Sequence, residues 1–81
     1  MPNNKLIHYI MVQFIYFPCN SNGVIAKGFC PSIAEGSSML RDIALYKKYK
    51  SKFGYTHYAF KFYDDSDLSG ISFENLTIVK L

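Results

Sequence analysis

The chain has 81 residues, with nine Lys/Arg against six Asp/Glu and a formal charge of +3 at pH 7. At 49% hydrophobic and 19% charged, it is too apolar for intrinsic disorder, too short for several domains, and too basic to mimic duplex DNA by charge. Seven Tyr and seven Phe can each bury about 150–250 Å², so residues 1–81 are expected to form one small domain.

After a short polar lead, residues 5–17 are rich in Ile, Val, Tyr and Phe. The run is shorter than the roughly 18 apolar residues of a membrane span. Bulky Tyr16 and Phe17 and rigid Pro18 do not form the small-residue cleavage site of a signal peptide. It reads as a first strand, apolar on both faces for part of its length and hence central or covered, with Leu6, Ile10, Val12 and Phe14 on one face. Residues 18–23 carry turn chemistry, and Asn22-Gly23 is a strong hairpin signal. Residues 24–30 are therefore expected to return as a second, antiparallel strand.

A helix is expected from Ile33 to about Phe53. Ser32 would cap it, Glu35 would complete a capping box, and Gly54 would stop it in the left-handed conformation. Lysines in its last turns suit the helix dipole. At 100° per residue, Ile33, Gly36, Met39, Leu40, Ile43, Ala44 and Tyr46 share one arc, which is expected to face the sheet. Residues 56–63 alternate Tyr58, Phe60 and Phe62 with His57, Ala59 and Lys61, a period-two third strand. Residues 64–70 form a polar turn and 71–80 a fourth strand. The apolar parity of this last strand switches between Phe73 and Leu76, so a bulge is expected near Asn75. The layout is β-β-α-β-β, an α+β fold with a four-stranded antiparallel sheet and one helix packed on one face. The other face is left for solvent, a partner or a second copy in a homodimer, with Tyr9, Tyr16, Tyr63 and His57 as candidate occupants.

Reactive chemistry finds little support in the residue pattern. Cys19 and Cys30 match no zinc spacing with the scattered His8 and His57, and two cysteines are too few for a disulfide scaffold. Both read as reduced thiols of a cytoplasmic protein. Asp65, Asp67 and Ser69 followed by Gly70 resemble the first half of a calcium loop, but the position that should hold a bidentate Glu holds Leu76. The five glycines are isolated, so no phosphate-binding loop is present. No catalytic residue, cofactor or metal is therefore assigned, and the protein is expected not to be an enzyme.

The remaining chemical feature is the outer helix face. Arg41, Leu45, Lys48 and Lys52 fall at i, i+4, i+7 and i+11, with Tyr49 beside them. Such a stripe suits an acidic protein surface or phosphates, and its apolar members favour a protein partner. These five residues are the candidate partner-binding site. The small size and strand-strand-helix-strand-strand order resemble the small phage-encoded inhibitors of bacterial defence, notably anti-CRISPR proteins. The resemblance implies a cytoplasmic inhibitor that docks on a Cas effector and blocks DNA binding or cleavage. The alternative expectation is a small basic nucleic-acid-binding or regulatory protein.

Overall fold

The first strand survives as a central one because it must satisfy two neighbours. In the computed structural model, which describes residues 12–64, 67 and 69–81, β1 (Gln13–Cys19) pairs antiparallel with both β2 (Ser32–Glu35) and β3 (His57–Phe62). β3 in turn pairs with β4 (Thr77–Lys80), and the strand order is β2-β1-β3-β4. One helix, α1 (Gly36–Phe53), follows β2 directly. The element order and the α+β class are those expected from the sequence. The expected strand residues 5–11, with Leu6, Tyr9 and Ile10, lie outside the described residues.

Alternation along β1 sorts the molecule into two layers. Tyr16 points to the helix and Phe14 shares its side, whereas Ile15, Phe17 and Cys19 point to the opposite face; Ile15, Tyr16, Phe17 and Cys19 are all buried. Phe17, Cys19 and the facing Ala59 form a buried cluster, against which Ile25 and Leu76 pack. Tyr16 is thus not on the open face, where the sequence had suggested it. Its hydroxyl donates to Asp42 Oδ2 at 2.5 Å.

The expected second strand is displaced for a backbone reason. Asn22-Gly23 does turn the chain, with Gly23 at φ 80°, and Asn20 Oδ1 accepts from the Asn22 and Val24 amides at 2.8 and 3.0 Å. Ile25 then bridges Cys19, and the Ala26 amide donates to the Pro18 carbonyl at 2.9 Å. The next ladder bond would need an amide on Pro18, and proline has none. The Ala26 carbonyl instead accepts from Phe29 at 3.1 Å, and Gly28, at φ 88°, turns the chain away. Residues 24–30 therefore make a loop, and the strand that pairs with β1 is the four-residue Ser32–Glu35 segment. Ser32 consequently caps nothing. Glu35 occupies the N-cap position without a side-chain cap bond, and Ser32 is held in the sheet opposite Tyr16.

The helix stop is as expected: Gly54 sits at φ 78° and its amide donates to Lys50 O. The buried arc is rotated from the expected one. Met39 is buried, with Asp42, Ile43 and Tyr46 half-buried beside it, whereas Leu40 and Ala44 face solvent and Ile33 belongs to β2. Asp42, a residue that hydropathy assigns outward, is drawn inward by Tyr16. The outcome predicts contrasting substitutions. Met39, 7% exposed, should cost about 2–5 kcal/mol as Met39→Ala, whereas Leu40, 65% exposed, should cost less than about 0.5 kcal/mol as Leu40→Ala. Chemical denaturation of the two variants measures the difference.

The fourth strand is shorter than expected. The parity switch marks a turn at residues 74–75, with Asn75 at φ 61°, rather than a bulge within one strand. Residues 71–73 leave the sheet, and Phe73 folds over Phe17 with ring centroids 6.0 Å apart. Before this turn, Asp67 anchors the connection. Its buried carboxylate accepts from Lys61 Nζ at 3.1 Å, Ser72 N at 3.1 Å and Asp64 N at 3.2 Å. The two backbone amides, with Lys61 assisting, hold the Asp67 carboxyl below its ordinary range. A lowered folded-state value means that the stability it supplies is intact above the ordinary value of 3.8 and is lost as pH falls below it. Thermal melts at descending pH should therefore lose stability in that window, and Asp67→Asn should flatten the loss.

Candidate functional site

The outer face of α1 places the five candidate residues together on the surface. Arg41, Leu45, Lys48, Tyr49 and Lys52 are all exposed, as helical spacing requires once Met39, Ile43 and Tyr46 turn inward. Two seams run side by side. Arg41, Lys48 and Lys52 make the basic one. Leu45 and Tyr49 begin an apolar one, which Phe53 continues four residues later. Leu45, Tyr49 and Phe53 are 47%, 40% and 49% exposed. Phe53 was absent from the sequence-based set because it closes the helix. Its i+4 spacing from Tyr49 was the available signal.

The charges lie against the rings. Lys48 Nζ stands 5.4 Å from the Tyr49 ring centroid, and Lys52 Nζ stands 5.4 Å from that of Phe53. Each contact is worth about 0.5–1 kcal/mol at an exposed site and holds a cation beside an apolar anchor. Phe53 is fixed from beneath, stacked on Tyr55 at 6.3 Å and edge-on to Phe29 at 5.5 Å. The apolar seam thus ends on a ring held by the core rather than on a free side chain. Such an arrangement suits a protein surface that offers acids around an apolar recess.

The other candidate groups are arranged differently. Cys19 and His57 are cross-strand partners, a juxtaposition that the sequence does not reveal. Burial pushes the Cys19 thiol up, the opposite of what an attacking thiolate needs, and His57 Nδ1 hydrogen-bonds Thr56 Oγ1 at 2.7 Å. Cys19 and Cys30 are both free, one buried and one exposed. Of the calcium-like loop, residues 65, 66 and 68 lie outside the described residues, and the Asp67 oxygens are committed to Lys61 and backbone amides. Among the described residues, no three His, Cys, Asp or Glu side chains gather as a metal-ligand set. Among the same residues, no helix is long and apolar enough to cross a membrane.

The face opposite the helix is not bare. Gly23, Ile25, Phe73 and Leu76, from the two loops, pack against it, and His57 and Tyr63 are half-buried. Among the described sheet residues the exposed aromatic is Phe62, on the same side as its cross-strand partner Phe14. It stacks on Phe14 at 5.0 Å, and Phe60 lies edge-on to Phe14 at 6.2 Å. No family model, curated protein or solved structure matches the chain.

Proposed function

We propose that the protein acts by stoichiometric binding rather than catalysis: a phage-type inhibitor of a bacterial defence effector, anti-CRISPR-like, docking through α1 on a Cas complex and preventing DNA binding or cleavage. The observation that carries the reading is the pairing of a basic seam with an exposed apolar seam on one rigid helix. Phosphate recognition needs the cations alone. Leu45, Tyr49 and Phe53 add exposed apolar area, which anchors a protein interface. The +3 charge is enough to orient an acidic partner surface without dominating the interaction. The docking site lies in the cytoplasm, where such effectors operate.

The test has two arms. In one, cells carrying a CRISPR system and a matching spacer are challenged with a targeted phage while the protein is expressed. Restored plaquing on at least one CRISPR type, with co-purification of the effector, is the expected result. In the other, the purified protein is titrated against duplex DNA and single-stranded RNA at low and at physiological salt. Weak binding at both is expected. Tight binding that falls steeply with salt, together with no effect on plaquing across a panel of CRISPR types, would replace this reading with that of a basic nucleic-acid-binding protein.

A further inference from the structure

On the face opposite α1, the two loops that fold over the sheet do not close on one another. They leave between them a cavity open to solvent, of about 640 Å³, within the range of small-molecule sites, about 300–1,000 Å³. Phe17, Ile25, Phe29, Phe73, Leu76 and Ile78 supply most of its lining. No described residue lining it is charged. The polar groups are few: the exposed Asn22 and Asn75 amides and the exposed Cys30 thiol sit at its rim.

Each wall is held by local contacts. Asn20 Oδ1 holds the first loop through two backbone amides. Gly23 meets the Ile78 side chain so closely that an added Cβ would lie 2.9 Å from Cδ1, and its φ of 80° disfavours any other residue. Asn75, also left-handed, sets the second loop. Phe29 is clamped edge-on among Tyr46, Phe53 and Tyr55 at 5.5–6.1 Å. The first loop is thus held by its own backbone hydrogen bonds and by Phe29 packing, and the two loops rest on the sheet through Gly23 at Ile78 and Phe73 at Phe17.

We propose that this cavity binds a small, uncharged, largely apolar molecule, with a single neutral polar end at the Asn22 and Asn75 rim. An apolar lining with no compensating charge penalises an ionised ligand, and the amides can each donate and accept. This site is separate from the helix surface and stands or falls independently of the docking reading.

The probe is N-phenyl-1-naphthylamine, a neutral apolar fluorophore, titrated with the whole protein. Expected are a saturable one-to-one fluorescence rise and displacement by dodecanol at lower concentration than by laurate. Ile78→Trp, which fills the cavity from a partly exposed position, should weaken binding by about tenfold or more while the protein still melts cooperatively. An independent readout needs no core substitution: saturating dye should slow the reaction of Cys30 with a thiol reagent, with Cys30→Ser as the control. An unsaturable signal that Ile78→Trp leaves unchanged overturns the site. Preferential displacement by laurate overturns the neutral ligand class. A wild-type dimer that Ile78→Trp converts to monomer shows the cavity to be an interface between copies, which also overturns the proposal.

Discussion

Asp42→Ala is expected to lower folding stability by about 1–3 kcal/mol, because it leaves the buried Tyr16 hydroxyl without its acceptor. In a domain of this size, each kcal/mol corresponds to about 4–8 °C in Tm. Tyr16→Phe should cost less, since it removes the group that needs satisfying, and Phe retains the ring contact to Tyr46 at 6.3 Å. The double variant should lose less than the sum, with a coupling of about 0.5–3 kcal/mol. Additive losses would show that the pair contributes no mutual stabilisation. The same pair sets behaviour in alkali. Burial, followed by the Asp42 hydrogen bond, raises the Tyr16 phenol well above its ordinary value of 10, and burial raises Tyr46 and Tyr55 as well. A raised folded-state value means full stability below pH 10, lost progressively as pH climbs above it. Tyr16→Phe should therefore shallow the alkaline limb of a Tm-versus-pH curve, and Asp42→Ala should do so in part.

The same residues show why some of the fold was legible in the sequence. Gly54, Asn22-Gly23 and the alternation of residues 57–62 carry strictly local signals, a left-handed stop, a tight turn and a pleat, and each is realised where it was expected. The departures arise where one local rule meets a distant partner. Pro18 ends the pairing of residues 24–30 through a bond that would have had to form across the strands. Ser32 has the chemistry of a cap, yet its backbone pairs with Tyr16 in the sheet. Asp42 turns the helix by satisfying a hydroxyl 26 positions away in the chain. Of the helix surface, Arg41, Leu45, Lys48, Tyr49 and Lys52 followed from periodicity alone. Phe53 required the packing beneath it, and the cavity required two loops that the sequence reads as strands.

Lys48→Glu with Lys52→Glu is expected to abolish partner inhibition, with affinity falling by about 100-fold or more as acids face acids across the interface. Folding should change by under about 1 kcal/mol. The lost charges are exposed, and what does change is the helix C-terminus, where Lys50 and Lys52 occupy the last turn and an acid at 52 opposes the dipole. Lys52→Gln separates the two effects, since it removes attraction without adding repulsion and should weaken binding only modestly. Leu45→Ala and Tyr49→Ala test the apolar seam and should each weaken docking by about tenfold, chiefly through faster dissociation. Charge reversal should instead act on the association rate and be relieved by salt. Full activity in the double reversal, with Tm unchanged, would remove α1 from the interface and leave the cluster of Phe14, Phe60 and Phe62 rings on the sheet as the surface to test next.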